Sequence, residues 1–72
     1  MNMIRFENRT NGRFYYMVVE SESPDKFTLN IIRGGKYVRV ITSIVCASQH
    51  VVNSELERLS KRRLKRGYSL VT

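Results

Sequence analysis

The chain has no tryptophan, and its 72 residues hold one cysteine, one histidine, one proline and only six acids. A lone Cys46 excludes an internal disulfide, which fits a reducing, cytoplasmic setting. Cys46 therefore reads as a small buried hydrophobe. Cys46 and His50 find no further His or Cys to complete a metal site, so neither metal nor cofactor is expected. His50 reads as an ordinary residue in the first turn of a helix. Glu20, Glu22 and Asp25 fall in or beside a solvated loop, and no pattern fixes them as a catalytic pair. Gly34-Gly35 lacks the spacing and the strand-to-helix context of a phosphate loop. Catalysis is thus unsupported, and the chain reads as non-enzymatic. No apolar run approaches the roughly 20 residues that cross a bilayer, and Met1 to Arg5 holds no apolar core of signal-peptide length.

Positive charge is what the chain has in excess. Thirteen Lys and Arg against six acids leave a net charge of +7. Up to Ile32, four basic residues balance four acidic ones; from Arg33 onward nine basic residues face only Glu55 and Glu57. The whole excess sits in the second half, which points to a polyanionic partner. At 42% hydrophobic residues the chain can still build a core, so residues 1–72 read as a single small domain.

Periodicity places the elements. Met3 to Glu7 reads as a short strand, Asn8 to Gly12 as a turn, and Arg13 to Glu20 as a strand rich in aromatic and β-branched residues. Asn11-Gly12 would supply the positive φ angles of a tight reversal. Ser21 to Asp25, with Pro24, reads as a loop. Phe27 to Arg33 and Lys36 to about Cys46 flank Gly34-Gly35, a two-residue hairpin signal of the I′ or II′ kind. That turn fixes a register: Arg33 faces Lys36, Ile32 faces Tyr37, Ile31 faces Val38, Leu29 faces Val40 and Phe27 faces Thr42. Phe27, Leu29, Ile31, Val38 and Val40 then form the core face, and Thr28, Asn30, Ile32, Tyr37, Arg39 and Ile41 a mixed one.

Ser48 reads as the N-cap of a helix from about Gln49 to Arg66, with Gly67 as the residue that ends it. Ser54 to Glu57 offers a capping box and a later start. Val52, Leu56, Leu59 and the stem of Arg63 share the apolar stripe. Tyr68 to Val71 reads as a closing strand or an ordered tail. The fold class is α+β: an antiparallel sheet of about four strands packed against one long C-terminal helix.

Opposite the apolar stripe, Arg58, Lys61, Arg62 and Lys65 form a basic one. Arg58–Arg62, Lys61–Lys65 and Arg62–Arg66 are like-charge i,i+4 pairs, each costing roughly 0.2–0.5 kcal/mol of helix stability. Glu57–Lys61 is the only offsetting i,i+4 pair, and the macrodipole recovers part of the cost. A solvated face is the bland alternative, but a helix that accepts this repulsion is better explained by a polyanion. Arg33, Lys36 and Arg39 form a second group. Tyr37 beside them is placed to stack on a base or sugar, or to pair across the strands with Ile32.

These pieces in order resemble the WGR domain, a small module of poly(ADP-ribose) polymerases and of bacterial proteins. Asn11-Gly12-Arg13-Phe14-Tyr15-Tyr16 opens a strand, a Gly-containing hairpin with Arg follows, then a Ser-capped helix, and Lys65-Arg66-Gly67-Tyr68 closes it. The resemblance covers roughly residues 3 to 71. The family's signature Trp is absent; Ile32-Arg33-Gly34-Gly35 stands in its place, with Arg33 and Gly34 as partial equivalents. The resemblance implies the same fold and a segment there that contacts DNA. The expected function is therefore nucleic-acid binding, to DNA or RNA, through the phosphate backbone. Its residues are Arg58, Lys61, Arg62 and Lys65 on the helix and Arg33, Lys36, Tyr37 and Arg39 at the hairpin. No base-reading set is visible, so sequence preference should be weak. The alternative is a protein-interaction module that docks an acidic partner. No membrane partner is expected, and the chain should be a monomer or weak dimer.

Overall fold

The structure, a computed structural model, describes residues 2–37 and 39–71. Its elements run β1 (Asn2–Asn8), β2 (Arg13–Ser23), β3 (Lys26–Gly34), β4 (Arg39–Cys46), α1 (Gln49–Lys65) and β5 (Ser69–Leu70). The strands form one antiparallel sheet in the order β4-β3-β2-β1-β5, with α1 on one face. The α+β class is as the sequence pattern predicts, with five strands rather than about four. The closing segment is the fifth: Ser69 and Leu70 pair with Glu7 and Phe6 on the free edge of β1. Among the described residues no helix is long and apolar enough to cross a membrane.

Alternation along the strands decides which face is buried. Phe6, Tyr15, Met17, Leu29 and Ile31 point toward the helix and close around Leu59. Phe27 and Cys46 close around Val52 at the start of the helix. Val19, Ile44 and Leu56 touch both groups and join them. Val52 is fully buried and Leu59 is 6% exposed, so the helical stripe is the one its 3.6-residue period predicts. Helix and sheet therefore hold each other by apolar burial, worth roughly 1.5–3 kcal/mol per large side chain.

Two turns differ from expectation. Ser21 to Asp25 is not a loop: β2 runs on to Ser23, which pairs with Lys26 across a two-residue turn at Pro24-Asp25. Proline presets the φ that such a turn needs, and an irregularity between Ser21 and Ser23 absorbs the change of register. Gly34-Gly35, conversely, is not a two-residue turn. Gly34 pairs with Arg39, Arg33 with Val40, Ile32 with Ile41, Ile31 with Thr42 and Leu29 with Ile44. The only glycines with left-handed φ among the described residues are Gly12 and Gly67, so neither Gly34 nor Gly35 makes a I′ or II′ turn. The expected Ile31–Val38 pairing falls on a residue outside those described.

Burial explains the register. A tight turn would have paired Phe27 with Thr42 and Leu29 with Val40, leaving Ile44 and Cys46 beyond the paired region. The observed register sets Ile44 opposite Leu29 and Cys46 opposite Phe27, where Cys46 is 1% exposed. The slip is an even number of residues, so the side chains from Arg39 to Cys46 keep the faces that the tight turn would have given them. Val40 stays on the helix side but lies toward the rim, and is exposed. Tyr37 drops out of the strand altogether, and Ile41 takes the place opposite Ile32.

Candidate nucleic-acid interface

Topology brings three distant segments to one end of the sheet. Asn8 and Arg13 close the β1–β2 turn, and Gly34 and Arg39 close β3–β4 at the same end. The helix starts near Phe27 and Cys46, at the opposite end, and runs diagonally across the face. Its basic C-terminus thus arrives beside the two turns.

Local chemistry fixes each piece. In the β1–β2 turn, Asn8 Oδ1 accepts from the Thr10 N–H at 3.0 Å and Asn11 Oδ1 accepts from the Arg13 N–H at 2.9 Å. Gly12 sits at φ 74°, while Asn11 does not adopt positive φ as expected. At the helix start, Ser48 caps α1 by accepting from the Val51 N–H at 3.2 Å, which settles the start at Gln49 rather than Ser54. At its end, the Tyr68 N–H donates to the Arg63 carbonyl at 3.0 Å and the Gly67 N–H to that of Leu64 at 3.2 Å. With Gly67 at φ 90° this is a Schellman motif. It folds Tyr68 back against the helix. The Arg63 guanidinium then lies over two rings, 4.5 Å from the centroid of Tyr15 and 5.3 Å from that of Tyr68. Arg63 Nε is buried and has no hydrogen-bond partner among the described residues.

The result is a cleft of about 600 Å3. Arg13, Arg33, Lys36, Arg63 and Arg66 line it, with Asn8, Tyr15, Tyr37 and Tyr68 between them, and no carboxylate lies among the lining residues. Five cations around one concavity concentrate a positive field, and the protein walls keep it from being fully screened.

The expected site residues divide. Arg33, Lys36 and Tyr37 line the cleft. Arg39 lies just outside, on the opposite face of the sheet, in a neighbouring depression shared with Lys36 and Tyr37. On the helix, Arg58 bonds Glu55 at 2.6 Å and Lys61 bonds Glu57 at 2.9 Å. The Lys61 hydrogen bond, reinforced by its charge, holds the Glu57 carboxyl below the ordinary range. Arg62 and Lys65 are exposed in the last turn. The Glu55–Arg58 pair is spaced i,i+3, so counting only i,i+4 pairs misses it.

Arg13, Arg63 and Arg66 line the cleft but were not among the residues that the sequence pattern singles out. Arg63 was readable only as an apolar stem, and its i,i+3 partner Arg66 is the one local signal for a second edge to the basic stripe. Among the described residues no three of His, Cys, Asp and Glu come close enough together to hold a metal ion.

Comparison with family models, with curated proteins and with solved structures finds no match. The functional reading therefore rests on the cleft itself.

Proposed function

We propose that this protein is a non-enzymatic, WGR-like domain that binds nucleic acid by its phosphate backbone, with the cleft as the principal site. The observation that carries this reading is the convergence of Arg13, Arg33, Lys36, Arg63 and Arg66 on one concavity without a carboxylate. Arginine forks match phosphate oxygens two at a time, and four of the five are arginines. The Tyr15 and Tyr68 rings under the Arg63 guanidinium hold that cation in place at the cleft, so a phosphate meets a side chain that is already ordered. Arg62 and Lys65 extend the field along the helix. The element order and the Ser48 and Gly67 caps support the WGR-like reading, with Arg33 as the partial counterpart of the missing signature.

Titration of duplex and single-stranded probes at two salt concentrations tests the reading. Five phosphate contacts predict a log-log salt slope of about −4 to −5 on duplex DNA, at roughly 0.9 per contact. Absence of binding to either probe at about 50 mM salt refutes it. Binding of poly-glutamate alone would assign the cleft to an acidic protein.

A further inference from the structure

We infer that the sheet face opposite the helix stacks unpaired bases, so that the ligand is single-stranded nucleic acid rather than duplex; this rests on the phosphate-binding reading above. The register puts Phe14, Tyr16, Ile32 and Arg39 on that face, because their neighbours Tyr15, Met17 and Ile31 face the core. Phe14 and Tyr16, two residues apart, bring their rings to 4.9 Å between centroids at 33°. With Ile32, Lys36, Tyr37 and Arg39 they line a second depression of about 420 Å3 whose lining residues include no carboxylate.

Tyr37 decides the matter of solvent. It is 88% exposed, in a loop and not in a strand, with Lys36 Nζ 5.4 Å from its ring centroid. An aromatic ring beside cations on a free surface suits a base, which offers a π-face to the ring and a phosphate to the cation. Paired bases in a duplex bury those faces in their own stack and present phosphates alone. The depression and the cleft share Phe14, Gly35, Lys36 and Tyr37. A flexible strand can therefore lie with phosphates in the cleft and turn successive bases over the Lys36-Tyr37 rim onto the aromatic face. A second copy of the chain fits less well. An isologous interface centred here would bring Lys36 and Arg39 against their own counterparts.

The test compares a labelled 12-nucleotide oligo-dT with a 12-base-pair duplex in about 50 mM salt, for the parent and for Tyr37→Ala and Phe14→Leu. Tyr37 is in solvent and Phe14→Leu is conservative, and thermal melts check that both variants fold. Each stacked base is worth roughly 5- to 140-fold in affinity. The single strand should bind the parent at least about tenfold more tightly than the duplex. Tyr37→Ala should weaken single-strand binding by about tenfold more than it weakens duplex binding, with the salt slope falling by less than one contact's worth, roughly 0.9, since the side chain carries no charge. Equal affinity for the two probes, or insensitivity of oligo-dT binding to both substitutions, overturns the stacking inference and leaves the phosphate reading standing. Failure of both probes overturns both. A stable dimer that Ile41→Lys dissociates, with no effect of Tyr37→Ala on oligo-dT, assigns the face to a second copy instead.

Discussion

The helix face and the cleft carry nearly equal numbers of cations, but only the cleft gathers them around one concavity. Arg58, Lys61, Arg62 and Lys65 share one face of one helix and project into water, and two of them already hold carboxylates. Arg13, Arg33, Lys36, Arg63 and Arg66 come from three parts of the chain and share one concavity with no acid among its lining residues. Surface pairs between exposed charges contribute about 0–1 kcal/mol and fade with salt, whereas converging charges on a protein wall add their fields. A run of basic residues in a sequence thus measures charge density along the chain, and the fold decides where that charge is concentrated in space.

The largest expected effect separates the two regions directly. Replacing Arg33, Lys36 and Arg66 with Gln should flatten the duplex salt slope by about 2–3, at roughly 0.9 per contact, and weaken all sequences alike. Replacing Arg62 and Lys65 with Gln should flatten it by less than about 1, because their charges stand farther from the bound phosphates. Both variants alter exposed or rim side chains, so thermal melts should stay near the parent's. If the helix pair costs as much as the cleft triple, the distinction between the regions collapses.

The second effect is on the backbone that builds the cleft. Gly67→Ala adds no clash, since its Cβ would lie 3.6 Å from Asn8 Nδ2, an ordinary contact. The strain comes from φ alone: an L-residue held at 90° costs about 1–2 kcal/mol. For a domain of this size the melting temperature should fall by about 4–8 °C per kcal/mol. Binding should fall with it, because the Schellman turn is what lays Tyr68 against Arg63. A variant that melts with the parent would mean that this joint does not hold the cleft together.

The two regions also differ in how legible they were. The helix was readable almost to the residue, because Ser48, the 3.6-residue stripe of Val52, Leu56 and Leu59, and Gly67 are local signals that agree with one another. The sheet faces were readable for the same reason. The β3–β4 register was not, because Gly34-Gly35 is a strong local turn signal, overridden by burial of Ile44 and Cys46 against residues far away in sequence. The cleft was half legible. Arg33 and Lys36 cluster in sequence, but nothing local ties Arg13 to Arg63; only the diagonal path of the helix does. The exposure of Tyr37 follows from the register, so misreading the turn also hid its position off the sheet.

Arg63→Met tests whether the central cation serves stability or ligand. Methionine keeps an apolar stem over Tyr15 and removes the guanidinium. The cation–π contacts contribute about 0.5–2 kcal/mol, while the buried Nε without a partner costs about 1–3 kcal/mol. These nearly cancel, so stability should shift by no more than about 1 kcal/mol in either direction. Duplex binding, by contrast, should lose about one unit of salt slope. A variant that loses several kcal/mol in denaturant unfolding would make Arg63 a structural residue and leave the cleft with four functional cations.

The smallest effect comes from freeing the helix face. Glu55→Gln with Glu57→Gln removes the partners of Arg58 and Lys61 without touching the cleft. If the cleft dominates, duplex affinity should rise by no more than about threefold at 50 mM salt, and the slope should steepen by less than about 1, because exposed charges at that distance are largely screened. Acid offers the same perturbation without mutation. The folded carboxyl of Glu57 is held below its ordinary value, so its pairing with Lys61 is complete above the ordinary carboxylate range. It is lost only as pH falls through the lowered value. Over that window affinity for nucleic acid should creep upward in the parent and less so in the Glu57→Gln variant. A steepening of about 2 units on mutation would instead mean that Arg58 and Lys61 become full phosphate ligands once released. The helix face would then be a second site held shut by its own acids.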